Sequence, residues 1–320
     1  KKSQENLFVK FIDSKVTFDH CTEFEINLNN EELKLKSVWV NNGALRVNEV
    51  PDFINAIIAN NYLNQVIKEK VRMKDMLIYT YATVISNGHG KNCGGKRASE
   101  MFGNKDTGVF ILQEFIPHTT TFGDMFKLGK EGPMLIYKLL AQLYDVLWTL
   151  QDKFKLVHND LHGSNILVEH LAEPQKYKIN NTTFTCQYSV RVIDFDHAAV
   201  NIQNSRVRVV SKSGWKYKCK EFRNYYDFAY LLADMYTMLD RQEPSDGNRN
   251  SYVNLTGKCL AALFNVHPTH IGIQSVLSQN RADAWIPPKD YEGSNFGALG
   301  KFLEDQIPDD NAPMLLLPSE

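Results

Sequence analysis

The sequence predicts an α+β fold in which a sheet-rich first part precedes a mostly helical second part. Over residues 7–48, short apolar runs alternate with polar turns, and runs of strand character return at 76–86 and 107–116. Alternation with a period of two is typical of a small antiparallel sheet. From Pro133 onward, apolar residues instead recur at helical spacing over about 20 residues, which indicates a long amphipathic helix.

The composition is that of an ordinary folded protein. Of the 320 residues, 43% are hydrophobic and 23% are charged, which argues against intrinsic disorder. The length allows either one large two-lobed domain or two modest domains. The formal net charge of −1 excludes a protein that binds polyanions through its bulk charge, and leaves a local basic patch as the only electrostatic route to such partners.

Cysteine usage and hydropathy indicate a reducing, aqueous compartment. The 5 cysteines are widely spaced, odd in number and form no C-x-x-C pair, which favours free thiols and argues against a zinc site. No apolar run approaches the roughly 18 residues of a membrane span, and the first residues carry no signal-peptide core. We therefore expect a cytoplasmic protein without a membrane span, in the host cytosol if it is viral or a bacterial effector.

The elements between these regions follow in order along the chain. A helix opened by a Pro-Asp pair is predicted over 50–67, between the first strands and the run at 76–86. The character of the chain then changes between Pro117 and Gly132. We accordingly predict one domain over 1–116 and a second over 117–320.

Polar residues of particular types are concentrated in the stretch LVHNDLHGSNILV, residues 156–168, between two apolar runs. This stretch contains Asp160 and Asn165, and the later apolar run SVRVIDFDHAA contains Asp194. Phosphoryl transfer to a hydroxyl group needs a carboxylate to accept the proton and two oxygen ligands that hold magnesium on the nucleotide phosphates. These three side chains match those roles by residue type and order.

Three motifs together resemble those of the protein kinase superfamily. The run His158–Asn165 is similar to the catalytic loop H-R-D-L-x-x-x-N, and Asp194-Phe195-Asp196 is similar to the metal-binding D-F-G motif. Asp227, in NYYDFAYLLADMY, stands where kinases carry a buried aspartate that braces the catalytic loop. The resemblance covers residues 7–240.

The resemblance implies a two-lobed, protein kinase-like fold. The first lobe would contain a small antiparallel β-sheet with one main helix, and the larger second lobe would be mostly α-helical. ATP and Mg²⁺ are the implied cofactors. Asp160 is the implied catalytic base, and Asn165 and Asp194 are the implied magnesium ligands.

Within the superfamily, the details resemble the haspin-like and giant-virus serine/threonine kinases. His162 stands where most serine/threonine kinases have a lysine. The segment between the catalytic loop and the metal motif is longer than usual, and it predicts an extra hairpin with a tight turn at Asn180-Asn181. Asn159 replaces the arginine that clamps a phosphorylated activation loop, and Asp196 replaces a glycine. These two departures predict a site that is poised without loop phosphorylation.

The same resemblance assigns the nucleotide contacts. Lys10, in LFVKFIDS, matches the lysine that pairs with the phosphates, and Lys36 is the alternative; neither is preceded by a glycine-rich lid. Apolar side chains are expected under the adenine, and backbone groups are expected at its edge. The expected floor is Leu167 and Ile193, and the expected edge is Glu114 to Ile116.

Two basic segments suggest anion binding. GKNCGGKR, at 90–97, nearly matches a phosphate-binding P-loop, but Arg97 replaces the serine or threonine, so a plain basic loop is favoured. The segment 206–223 gathers 7 lysines and arginines with one glutamate. It is either a solvated face or a site for a polyanion, such as an acidic protein substrate, an inositol phosphate or nucleic acid.

Three functions follow from these observations. The first is an atypical protein kinase that phosphorylates serine or threonine, with a protein substrate as its partner. The second is a small-molecule kinase that resembles the aminoglycoside and choline enzymes, although the long spacing from Asp194 to Asp227 favours protein substrates. The third is a pseudokinase that acts as a binding module. The three retained polar residues argue against the third function, whereas the missing glycine-rich lid argues for it.

Overall fold

The computed structural model describes residues 7–13, 52–87, 107–128, 132–201, 208–210, 225–240, 249–266 and 296–311. These residues form both helices and antiparallel sheets, which confirms the predicted α+β class. The strands are β1 (Leu7–Asp13), β2 (Thr80–Asn87), β3 (Thr107–Glu114), β4 (Thr119–Thr121), β5 (Leu156–Val157), β6 (Ile166–Ile179), β7 (Thr182–Val192), β8 (Ala199–Asn201) and β9 (Arg208–Val210). The helices are α1 (Asp52–Glu69), α2 (Phe122–Leu128), α3 (Pro133–Trp148), α4 (Tyr226–Asp240), α5 (Arg249–Phe264) and α6 (Phe296–Gln306).

The chain divides into two compact units, each assembled from separate segments of the sequence. The first unit comprises Lys1–Ile116, Phe154–Asn159 and Asp194–Phe222. The second unit comprises Pro117–Lys153, Asp160–Ile193 and Arg223–Glu320. The two domains predicted over 1–116 and 117–320 stay a prediction.

The first unit contains an antiparallel sheet in the order β1, β3, β2. The strands predicted at 76–86 and 107–116 are present as β2 and β3, and the helix predicted over 50–67 is present as α1. The register of β2 shifts between Thr80 and Ala82. A smaller sheet in this unit has the order β5, β8, β9. The further strands predicted within 14–48 lie outside the described residues.

Buried amide groups join helix α1 to this sheet. The side chain of Asn64 brackets the backbone of Thr80, since its Nδ2 donates to the carbonyl at 2.6 Å and its Oδ1 accepts the N–H at 3.0 Å. Asn60 Oδ1 accepts from the Thr80 hydroxyl at 3.0 Å and from Gln113 Nε2 at 2.9 Å. Asn60 is 2% exposed and Thr80 is 3% exposed, so loss of one partner would leave a buried polar group unsatisfied. The helix is therefore fixed to β2 and β3 by specific polar contacts.

The second unit contains a long hairpin of β6 and β7, with β4 paired to the start of β6. Its two-residue turn at Asn180-Asn181 confirms the predicted hairpin, and Asn180 adopts a φ of 48°, which asparagine tolerates better than most residues. Strand β6 spans 14 residues. The strand signal fades there because 172–176 are exposed and the register shifts between His170 and Gln175.

Carboxylates at the end of α6 hold the tip of this hairpin. Glu304 accepts the backbone N–H of Asn181 at 3.0 Å, and Asp309 accepts the backbone N–H of Thr183 at 3.1 Å. Glu304 is 7% exposed. Burial alone would raise the pKa of Glu304, but the hydrogen bond from Asn181 and the ion pair with Lys301 outweigh it, so the pKa lies below its usual value.

Helix α3 supports this hairpin from the core of the second unit. It begins at Pro133, as predicted, and ends in a π-helical turn over Thr149–Lys153. The buried Gln142 of α3 donates through Nε2 to the Tyr188 carbonyl at 2.9 Å and accepts the Val190 N–H at 3.1 Å. One amide side chain thus continues the hydrogen bonding of β7 where the sheet ends. Helix α3 also contacts α4, α5 and α6.

Among the helices of the described residues, none combines the length and the apolar character that a membrane span requires.

Candidate active site

The loop that begins at Asp160 is folded into a tight turn by its own backbone. The N–H of His162 donates to the Asp160 carbonyl at 3.1 Å, and the N–H of Asn165 donates to the His162 carbonyl at 2.9 Å. The side-chain Nδ2 of Asn165 also donates to the Asp160 carbonyl, at 2.8 Å. Two of the three predicted catalytic residues are therefore held together within the second unit.

The bond from Asn165 Nδ2 to the Asp160 carbonyl sets the direction of the Asn165 amide. Asn165 is 7% exposed. Its Nδ2 is engaged with the Asp160 carbonyl, and its other side-chain atom, Oδ1, is an oxygen of the type that binds divalent cations. The Ile193 N–H, directly after β7, donates to the Asn165 carbonyl at 3.0 Å. Asp194 is the next residue along the chain, and it opens the last segment of the first unit. The magnesium-binding role of Asp194 stays a prediction.

The imidazole of His162 faces the carboxylate of Asp160. The two side chains are 33% and 36% exposed, and His162 Nε2 lies 3.8 Å from Asp160 Oδ2. The other ring nitrogen, Nδ1, accepts the backbone N–H of Ser164 at 3.3 Å. A ring nitrogen that accepts a hydrogen bond carries a lone pair, so the neutral imidazole has its proton on Nε2, on the side of Asp160.

Helix α2 approaches the same loop through direct backbone contact. A Cβ atom on Gly163 would lie 2.8 Å from Gly123 Cα and 3.0 Å from Gly123 N, and real Cβ atoms essentially never approach other atoms within 3.0 Å. The start of α2 is fixed by Thr121, whose Oγ1 accepts the Asp124 N–H at 3.0 Å. Glycine at position 163 is therefore what allows the loop to lie against the helix.

Asp194 lies in the first unit, immediately before the short turn Phe195–His197. Its backbone is left-handed, with φ 66° and ψ 62°. Such a conformation costs about 1 kcal/mol or more for a residue other than glycine, so the surrounding contacts must maintain it. Phe195 is 3% exposed, its ring centroid lies 4.6 Å from that of the fully buried His158, and α1 contacts the same turn. The positive φ thus falls on Asp194 rather than on Asp196, where kinases carry the glycine.

Asn159 holds the far end of this turn, a role that the sequence did not suggest. Its Nδ2 donates to the His197 carbonyl at 3.1 Å, and the residue is 5% exposed. Its φ is 65°, a left-handed conformation that asparagine adopts more readily than arginine does. The residue type was the available signal, because asparagine is enriched at positive φ. Within the first unit, Asn159 therefore ties the residue before Asp160 to the turn that follows Asp194.

Helix α1 also supports the strand that leads into the catalytic loop. The Tyr62 hydroxyl donates to the Phe154 carbonyl at 2.8 Å, and the two rings meet edge to face. Burial, assisted by the nearby charge of Glu69, raises the pKa of Tyr62 to about 12. The hydroxyl therefore keeps its proton, and its role as a donor, at neutral pH.

Asp227 is almost completely buried on the first turn of α4, where it is 1% exposed. Gln151, in the π-helical turn after α3, donates to its Oδ2 at 2.8 Å. Helix α4 also contacts the turn Gly163–Asn165.

The structure describes only some of the residues that are predicted to contact the nucleotide. Lys10 lies in β1, opposite Ile111 of β3, and its side chain is not among those described. Ile116 is buried, and the Glu114 N–H donates to the Tyr79 carbonyl at 2.9 Å, so this N–H is engaged within the first unit. Their roles toward a nucleotide stay predictions.

The two expected floor residues lie along the β6–β7 hairpin. Leu167 is opposite Arg191 in the sheet, and Ile193 is the first residue after β7. Arg191 Nη2 lies 3.0 Å from Glu169 Oε2. Lys36, the loop 90–97 and most of the basic segment 206–223 lie outside the described residues.

One family model matches part of the chain. Residues 133–267, which include the predicted catalytic loop and the predicted metal motif, match the family model of the poxvirus serine/threonine protein kinases. No curated protein matches the chain in sequence. Among solved structures, the chain is similar to WaaP in complex with acyl carrier protein, with 12% sequence identity and a TM-score of 0.33 over 78% of this chain and 77% of that chain. The match over residues 133–267 supports a phosphotransferase of the atypical, protein kinase-like type.

Proposed function

We propose that this chain is a serine/threonine protein kinase that transfers the γ-phosphate of ATP to protein hydroxyl groups, with magnesium on the nucleotide. Kinases in general use this nucleotide and this metal. The match to the poxvirus serine/threonine protein kinases supports serine and threonine as the acceptors.

One observation carries the proposal. The amide Nδ2 of Asn165 and the backbone N–H of His162 both donate to the Asp160 carbonyl, at 2.8 Å and 3.1 Å. The backbone of the residue that carries the carboxylate and the amide of Asn165 are thereby held on one turn, with the amide oxygen pointing away from the loop carbonyl. This is what phosphoryl transfer requires, because its catalysis consists mainly of positioning and charge stabilisation.

Each residue has a distinct role in the proposed reaction. Asp160 accepts the proton of the attacking hydroxyl as the hydroxyl oxygen bonds to the γ-phosphorus and the bond to the leaving ADP oxygen breaks. Asn165 Oδ1 and the Asp194 carboxylate are the proposed magnesium ligands. Bound magnesium would neutralise charge on the phosphates.

The remaining contacts extend this proposal to the nucleotide and the partner. We propose Lys10 for the phosphates, Leu167 and Ile193 for the adenine face, and the backbone of 114–116 for its edge. The basic segment 206–223 is proposed to bind an acidic stretch of the protein substrate or another polyanion, since its cations are closely spaced. A reducing cytoplasmic compartment suits the buried free thiols of Cys186 and Cys259.

The test is transfer of label from γ-labelled ATP in the presence of magnesium. The wild-type chain would be incubated with a mixture of proteins and, separately, with a set of small alcohols. Label on serine and threonine of proteins supports the proposal. Label in the small alcohols would establish a small-molecule kinase instead, and absence of label with every acceptor would indicate a binding module.

Three variants assign the chemistry. Asp160→Asn preserves the size of the side chain but removes the basic carboxylate, and a rate loss of about 10²-fold or more is expected. Asn165→Leu and Asp194→Asn should raise the magnesium concentration that transfer requires. Asp305→Asn is the matched control, because Asp305 is a half-exposed surface acid of α6. Unchanged transfer by Asp160→Asn would contradict the assignment of the base.

A further inference from the structure

We infer that His162 is the positioning residue of Asp160, with its Nε2–H holding the carboxylate in the orientation from which it accepts the substrate proton. The inference rests on the proposed function of Asp160 as the base. It concerns a residue that stands where most serine/threonine kinases have a lysine.

Hydrogen bonds at the ring and at the backbone of His162 orient its imidazole. Its Nδ1 accepts the Ser164 N–H at 3.3 Å, and its backbone N–H and carbonyl both take part in the turn between Asp160 and Asn165. The ring is thus anchored at its own backbone and at Ser164. With the lone pair on Nδ1 engaged, the proton of the neutral ring is on Nε2.

The proton on His162 Nε2 faces Asp160, the proposed base. Nε2 lies 3.8 Å from Asp160 Oδ2, which is longer than the roughly 2.7–3.2 Å of a hydrogen bond. Hydrogen bonds between catalytic groups are often long without substrate and shorten in the reactive complex. The Asp160 side chain is 36% exposed, and a donor beside its carboxylate restricts the rotation of that group.

A histidine at position 162 differs from a lysine in more than charge. A lysine at position 162 has no acceptor for the Ser164 N–H, and its ammonium group is carried on a flexible stem. A histidine held by Ser164 instead presents a short, rigid donor. Positioning therefore requires a donor at the place of Nε2, and the charge of a lysine does not replace it.

Three substitutions at one site test this inference. His162→Gln places an amide nitrogen near the position of Nε2, whereas His162→Asn places an amide oxygen near the position of Nδ1 and lacks the distal donor. His162→Lys supplies charge without the acceptor. We expect kcat to fall roughly 10- to 100-fold in His162→Asn and His162→Lys, with the KM for ATP unchanged within about twofold, and to recover to within about threefold of wild type in His162→Gln.

Two results of these substitutions would overturn the inference. Equal losses in His162→Asn and His162→Gln, with a lower melting temperature in both, would show a purely structural role and overturn the inference. Full activity of His162→Lys would overturn it as well, because charge would then suffice.

A spectroscopic measurement keeps this result distinct from failure of the proposed function. Nitrogen NMR of the labelled, neutral imidazole in the wild-type chain should show the tautomer with the proton on Nε2. A proton on Nδ1 would overturn the inference whether or not the chain transfers phosphate. If the wild-type chain transfers no phosphate while Nε2 carries the proton, the proposed function fails and the inference fails with it, although the ring geometry stands.

Discussion

Replacing Gly163 with alanine is expected to displace the loop that carries Asp160 and Asn165. The added Cβ would lie 2.8 Å from Gly123 Cα, whereas ordinary van der Waals contact begins at 3.4 Å, so the backbones must separate by about 0.6 Å. The φ of Gly163 lies outside the left-handed region. The effect would therefore be steric, and would not arise from backbone strain at position 163 itself.

The size of the effect follows from what must move. The obstructing atoms belong to the backbone of α2, which cannot rotate away as a side chain can. Overpacking of this kind typically costs about 1–3 kcal/mol in the free energy of unfolding. Because a displacement of 1 Å can cost about 10²-fold in rate, we expect the kcat of phosphate transfer to fall roughly tenfold.

Denaturant unfolding and transfer assays would be carried out on three variants. A Cβ on Gly132 would have no atom within 4 Å, so Gly132→Ala should lower the free energy of unfolding by no more than about 1 kcal/mol, through the change of the N-cap residue of α3. Gly123→Ala should be intermediate, since its nearest contact would be 3.3 Å. If Gly163→Ala matched Gly132→Ala in stability and in kcat, the argument from backbone contact would be refuted.

Three further predictions concern the supporting framework. Asn60→Leu should lower the free energy of unfolding by about 2–3 kcal/mol, measured by denaturant titration, because it leaves the Thr80 hydroxyl and the Gln113 amide without their common acceptor. Gln151→Leu should cost about 1–3 kcal/mol in the same measurement, since the buried Asp227 carboxylate loses a donor, and a null effect would show that its other contacts suffice. The pKa of Glu304 is lowered in the folded chain, so its contribution to stability is present above the pKa of the unfolded chain and is lost as pH falls through the folded value. Thermal unfolding from pH 6 to pH 3 should therefore show a smaller loss of stability in Glu304→Gln than in the wild type, and identical pH profiles would contradict this assignment.

The elements that sequence predicts well are those specified by local chemistry. The hairpin turn at Asn180-Asn181, the start of α3 at Pro133 and helix α1 depend on residues within a few positions of one another. The pairing of Asp160 with Asn165 is equally local, because one turn of backbone links them. Their spacing in the sequence therefore indicated a real proximity.

The features that escaped prediction depend on contacts between distant parts of the chain. Nothing near Gly163 announces that Gly123 will approach its backbone, and nothing in α6 indicates that Glu304 will accept a hydrogen bond from Asn181. The role of Asn159 had a local signal in its residue type, but its acceptor, the His197 carbonyl, is separated from it by a whole hairpin. Such pairings are set by tertiary packing, which residue patterns alone do not encode.

The interleaving of the two units limits how this protein can be divided for experiments. A fragment that starts at Pro117 would contain β5 and β8, which belong to the first unit, but it would lack α1, on whose Tyr62 hydroxyl the Phe154 carbonyl depends. A fragment that ends at Ile116 would lack the buried Phe195, whose turn contacts α1. Deletion mapping of a binding partner would therefore expose apolar surface in either half, and point substitutions in the whole chain are the sounder means of locating its sites.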